Sequence, residues 1–67
     1  MDDKTRRLVE DAYQEAVQET VGRGQTLLTA HKEGVVAAAM LLSALGGLED
    51  SAARDAVVAL NLRPESN

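Results

Sequence analysis

His31 is the only histidine in the chain, and histidine is the residue type that most readily exchanges a proton near neutral pH. It acts as a general base or a metal ligand when a nucleophile, a carboxylate or a second ligand stands beside it. No Asp, Glu or His stands three or four residues from His31, and Glu33 points to another side of a helix. We therefore expect His31 at the end of a core, with one ring nitrogen in water or bonded to a backbone carbonyl. A pH-sensitive or ligand-contacting role is the alternative.

The other side chains with reactive groups do not form a catalytic or metal-binding pattern. Ser43 is the one conceivable nucleophile for His31, but it lies 12 positions further on, about 18 Å along one helix. Asp11, Glu15 and Glu19 form a row of carboxylates without a Glu-x-x-His pattern, which is typical of a solvated helix face. The chain has no cysteine, so thiolate metal sites and disulfides are excluded. We expect no enzyme, no cofactor and no metal, although a homodimer that sets two acidic rows face to face stays open.

Tyr13 is the only aromatic residue, and its ring and hydroxyl could together anchor a ligand or a partner. A lone tyrosine on the apolar face of a helix more often packs its ring in the core and leaves its hydroxyl in water. A small-ligand site between subunits, with Tyr13, Arg23 and His31 as polar contacts, is the weaker alternative function.

The basic residues predict a second alternative, a regulatory dimer that binds nucleic acid. Arg6 and Arg7 lie at the start of the first predicted helix, whereas Arg23 and Lys32 lie near the turn that follows it. These positions are at opposite ends of a helical hairpin, and the net charge of −4 repels a polyanion. The alternative therefore requires a basic patch that forms only at the surface of an oligomer.

The elements that position these residues are predicted to be three helices, because apolar residues recur at intervals of three or four. We place the helices at about residues 4–21, 27–45 and 52–61, with glycine pairs ending the first two. The fold class is all-α: an antiparallel helical hairpin plus a short third helix. The prediction is one domain, 1–63, followed by a flexible tail, 64–67.

The amount and kind of apolar surface predict self-association. A chain of 67 residues buries only about 60% of its unfolded surface. Eleven of its 30 apolar residues are alanines, and Phe, Trp and Ile are absent. From Val35 onward the central helix is apolar nearly all round, so the first helix covers only one of its sides. We expect a dimeric or higher helical bundle. The residues expected in its core or oligomer interface are Leu28, Val35, Ala38, Leu41, Leu42 and Leu45.

The predicted location is cytoplasmic, without a membrane. The sequence opens with Met-Asp-Asp-Lys, which lacks the basic and then apolar pattern of a secretory signal. The longest nearly apolar run, 35–45, has 11 residues, whereas a bilayer span needs about 20. The function that fits best is a small non-enzymatic protein that self-associates and serves as an interaction, regulatory or assembly module, with a protein partner.

Overall fold

Three α-helices form the chain in the computed structural model, which describes residues 1–64 and has no strand within them. The helices are α1 (Asp3–Gly22), α2 (Leu27–Gly46) and α3 (Asp50–Ala59). The predicted all-α fold is confirmed, and each predicted helix lies within about two residues of an observed one. Of the predicted tail, 64–67, all but the first residue lies outside the described part of the chain.

The first two helices begin where polar side chains cap them. The Asp2 carboxylate accepts a hydrogen bond from the Thr5 backbone N–H at 2.7 Å. The Thr26 hydroxyl accepts one from the Thr29 backbone N–H at 3.1 Å. The hydrogen bonds from Thr5 lower the pKa of Asp2, because they stabilise its charged form. Each cap thus satisfies a backbone N–H in the first turn of its helix that has no partner within the helix.

The link from α2 to α3 is a tight turn that brings α3 back along α2. Gly47 takes the left-handed conformation, with φ of 66°, and its N–H donates to the Ser43 carbonyl at 2.9 Å. The Ser43 hydroxyl donates to the Leu48 carbonyl at 2.7 Å. Ser43 therefore has a structural role at this turn, and α3 begins after Glu49 without a side-chain cap.

Close contact between α1 and α2 depends on Gly34. A Cβ atom built at this position would lie 2.7 Å from Cδ1 of Tyr13 and 2.9 Å from Cγ2 of Val17. The absence of a side chain lets the Tyr13 ring pack directly against the backbone of α2.

The buried face of α2 differs from the predicted one. The expected 3-4 spacing ran from Leu28 through His31 and Val35 to Leu45, but Leu28 and Leu45 are exposed and stand outside the core of the single chain. Small residues at intervals of four line the buried face instead, because they allow α1 to approach more closely than leucines would. Ala38 and Leu42 are buried as expected. The buried residues of α2 are Ala30, Gly34, Ala38, Ala39 and Leu42.

The core is consequently small, and much apolar surface remains exposed. Leu42 is the only buried one of the nine leucines, all of which lie in the described part of the chain, and five are exposed. Val35 is half-buried against the core, and Leu41 is also half-buried. The core residues are Val9, Tyr13, Val17, Ala30, Ala38, Ala39, Leu42, Ala53 and Val57.

Candidate interaction surface

An open groove follows the outer side of the α2 and α3 pair, and we call it the α2–α3 groove. It consists of two depressions with volumes of about 460 and 400 Å³. Val36 of α2 and Arg54 of α3 line both depressions, so the two form one continuous surface. No helix of the described chain covers it.

Apolar side chains form the middle of this groove. Val36 is 40% exposed, Met40 is 68% exposed and Val58 is 58% exposed. Single exposed apolar residues are ordinary on protein surfaces, but neighbouring ones that line one concavity are typical of an interaction surface. The sequence predicted surplus apolar surface on α2, but it did not place Val58 beside it.

The charges along the α2–α3 groove are separated by sign. Asp50 and Asp55 line the depression that contains Met40. Lys32 and His31 line the other depression, and Arg54 contributes to both. Arg6 and Glu10 form an ion pair at 3.7 Å on α1, but none of these groove residues forms one with another residue of the described chain.

Tyr13 and His31 form a hydrogen bond between α1 and α2. The Tyr13 hydroxyl and Nδ1 of His31 are 2.7 Å apart, and the two rings meet edge to face with centroids 5.6 Å apart. Nε2 has no hydrogen-bond partner among the described residues and is not buried, so this ring nitrogen is open to solvent. The bond to Tyr13 therefore fixes the direction in which the free side of the His31 ring faces solvent.

This pair corrects one expectation from the sequence and agrees with another. Tyr13 is fully buried, so the prediction that its hydroxyl lies in water is wrong. Nδ1 of His31 bonds to the Tyr13 side chain, and the other ring nitrogen is open to solvent, as one of the two expected arrangements had it. Hydrophobic periodicity does not fix the register of the two helices to within one helical turn, so the sequence could not place Tyr13 beside His31.

Burial also changes the acidity of Tyr13. It raises the pKa of the Tyr13 hydroxyl, because the charged phenolate loses its hydration, and the positive charge of Arg63 opposes the shift. The backbone carbonyl of Arg63 accepts a hydrogen bond from Nε2 of Gln14 at 3.0 Å, which ties the segment after α3 to α1. At neutral pH, Tyr13 is therefore a neutral donor that positions His31, and it is unsuited to exchange protons with a substrate.

The basic residues singled out in the sequence do not meet on one face. Arg7 and Arg23 are separated by about 24 Å along α1, and the Arg23 guanidinium lies 3.4 Å from the Thr20 hydroxyl. Lys32 instead lies in the α2–α3 groove with Arg54. Sequence reasoning missed this pairing because it depends on how α3 packs on α2. The single chain thus has no patch that joins Arg6, Arg7, Arg23 and Lys32.

No group of three or more His, Asp and Glu side chains could hold a metal ion within residues 1–64. The acidic residues Asp11, Glu15 and Glu19 are all exposed on α1. Whether the protein uses a metal or a cofactor stays a prediction from the sequence.

α2 is long and apolar enough to cross a membrane when length and composition alone are considered. The nearly apolar run used in the sequence prediction covers only residues 35–45, whereas the whole helix is longer because it also includes polar residues. Lys32 and Glu33 are exposed and stand about 8 Å inside one end of the helix. A spanning α2 would bring both charges towards the hydrocarbon region, where each is costly. The central helix of a water-soluble bundle has the same length and composition.

Comparison of the chain with known protein families, with curated proteins and with solved structures gives no match. The functional argument therefore depends on the geometry of the α2–α3 groove.

Proposed function

We propose that this protein is a non-enzymatic helical module that self-associates, with a dimer favoured, and that acts in protein interaction, regulation or assembly. The observation that carries the proposal is the exposure of Val36, Met40 and Val58 along one continuous groove. The proposed dimer interface is the α2–α3 groove, and the partner is a second copy of the chain.

The expected strength of association follows from the size of this surface. Fully burying a valine or methionine side chain stabilises a complex by about 1.5–3 kcal/mol. The three groove residues are already partly covered, so each contributes about 1–2 kcal/mol, or roughly 6–12 kcal/mol for two copies. Association costs about 4–15 kcal/mol in lost freedom of motion. Where the gain is near its upper bound and the cost near its lower bound, the surplus is about 6 kcal/mol, so we expect a weak dimer with a dissociation constant on the order of 10–100 μM.

The size of the surface supports the same conclusion. The exposed side of α2 is about 30 Å long and that of α3 about 15 Å, and each helix presents a strip about 10 Å wide. Two copies would bury about 900 Å² in total, which is below the standard size for stable complexes and typical of transient ones. Concentration must therefore be varied in any test.

Sedimentation equilibrium between about 5 and 500 μM tests the proposal. We expect the wild type to change from monomer to dimer over this range and Met40→Glu to remain monomeric, because the new carboxylate would be desolvated in the interface. Leu28→Glu is the matched control, since Leu28 is 66% exposed against 68% for Met40 and lies on the same helix outside the groove. Circular dichroism should show unchanged helix content in both variants.

A wild type that stays monomeric at 500 μM would contradict self-association. If Leu28→Glu dissociates the dimer and Met40→Glu leaves it intact, the interface lies at the turn between α1 and α2, as the sequence prediction for Leu28 allows. That result would overturn the assignment to the groove.

A further inference from the structure

The charges of the α2–α3 groove are arranged so that its two ends differ in sign. We define the acidic end as Asp50 and Asp55, which line the depression around Met40. We define the basic end as Lys32, which lines the depression around His31, together with Arg63, which lines a third depression of about 190 Å³ that adjoins it at His31, Val35 and Val58. Arg54 lines both larger depressions and belongs to neither end. Val36 lies between the two ends and lines both larger depressions.

None of these four charges forms an ion pair with another described residue. Glu33 is exposed on α2 but lines none of the depressions described above, so it leaves the basic end positive. Each end therefore presents a charge that a partner surface can match.

We propose that two copies pack groove to groove in an antiparallel arrangement around a two-fold axis that crosses the groove near Val36. This inference rests on the proposed function and adds the orientation of the second copy. The axis brings Val36 of both copies together, places Met40 of each copy over the Lys32 region of the other, and sets each acidic end against a basic end.

Charge excludes the other way in which the same two surfaces can meet. A two-fold axis along the groove would give a parallel dimer, in which Asp50 and Asp55 face the same two residues of the other copy and Lys32 faces Lys32. Juxtaposed like charges disfavour an interface, whereas complementary charges fix its orientation. The apolar residues would be covered equally well in both arrangements, so the charges decide between them.

Reversal of single charges gives a test that separates the two arrangements. Lys32→Glu puts a carboxylate at the basic end, which in the antiparallel dimer faces the partner's acidic end, and Asp55→Lys does the converse at the acidic end. Each reversal acts at two symmetric contacts, so we expect the dissociation constant to rise about tenfold or more. The dissociation constant of a parallel dimer would change little, because each reversal replaces one pair of like charges with another pair of like charges.

The double variant, with Lys32→Glu and Asp55→Lys in one chain, should restore association to near the wild-type value. Lys4→Glu and Asp11→Lys are matched controls, because they change the net charge equally at exposed positions of α1. These controls are needed since two chains of net charge −4 repel each other, and any change of net charge alters that repulsion. Sedimentation equilibrium at about 150 mM salt is the measurement.

The antiparallel dimer is supported if both single reversals raise the dissociation constant more than their controls do and the double variant restores it. If Met40→Glu abolishes the dimer while the reversals match their controls, the groove is the interface but the antiparallel orientation is overturned. A wild type that remains monomeric overturns the proposed function and this inference together.

Discussion

Gly34→Ala is expected to destabilise the protein, although alanine is normally the better residue within a helix. The substitution gains about 1 kcal/mol of helix propensity. The new methyl group would lie 2.7 and 2.8 Å from two ring carbons of Tyr13 and 2.9 Å from a methyl group of Val17. Favourable carbon contacts lie at about 3.5–4.0 Å, so three close overlaps form at once.

Neither neighbour can move aside easily, because Tyr13 and Val17 are both buried in the core. Overpacking of this kind costs about 1–3 kcal/mol. We expect a net loss of up to about 2 kcal/mol in the free energy of unfolding, with the melting temperature falling by about 4–8 °C for each kcal/mol lost in a domain of this size.

Gly22→Ala is the control for this prediction. Gly22 is also helical and has no atom within 4 Å of an added Cβ, so alanine should leave stability unchanged or raise it by up to about 1 kcal/mol. Urea unfolding followed by circular dichroism at one fixed protein concentration measures both variants. If Gly34→Ala stabilises the protein as much as Gly22→Ala does, α1 and α2 are not in the close contact described above.

Tyr13 is the only tyrosine and there is no tryptophan, so the absorbance of ionised tyrosine near 295 nm reports one group. We expect the midpoint of its pH titration above pH 10. Because folding raises the pKa of Tyr13, the contribution of this group to the free energy of unfolding is complete below about pH 10 and is lost as the pH rises through the folded-state pKa. A midpoint at the unfolded-state pKa would contradict the burial of Tyr13. Tyr13→Phe should lower the free energy of unfolding by about 0.5–1.5 kcal/mol, since the hydrogen bond to His31 is lost; urea unfolding with equal stability of both proteins would show that the bond contributes nothing. Leu42→Asp should abolish folding and association together, because it buries an unpaired charge in the core; a folded dimer in circular dichroism and sedimentation would be incompatible with the observed position of Leu42.

The helices and their ends were predictable from the sequence because their causes are local. The capping side chains Asp2 and Thr26 and the left-handed Gly47 each act within one helical turn of the end that they define. The all-α class follows from the same periodicity, and the structure agrees with it.

The rotation of α2 and the composition of the groove were not predictable, because they depend on contacts between helices. Hydrophobic periodicity favoured leucine for the face towards α1, whereas the structure uses Gly34 and alanines there. The hydrogen bond between Tyr13 and His31 joins residues 18 positions apart, and it requires a register finer than pattern matching gives. Lys32 and Arg54 were each visible as charges, but only the packing of α3 on α2 brings them to one surface.

The nearly uniform apolar surface of α2 means that hydrophobicity alone does not select which side of this helix meets α1. Gly34 is the only glycine in the interior of α2, since Gly46 is its last residue, so the Tyr13 ring can pack against the helix backbone only there. The hydrogen bond to His31 then forms in one axial setting and in no other. The packing of the two helices within one chain is thus specified by an absent side chain and one polar bond, which leaves the larger apolar side chains Val36, Met40 and Val58 exposed for contacts between molecules.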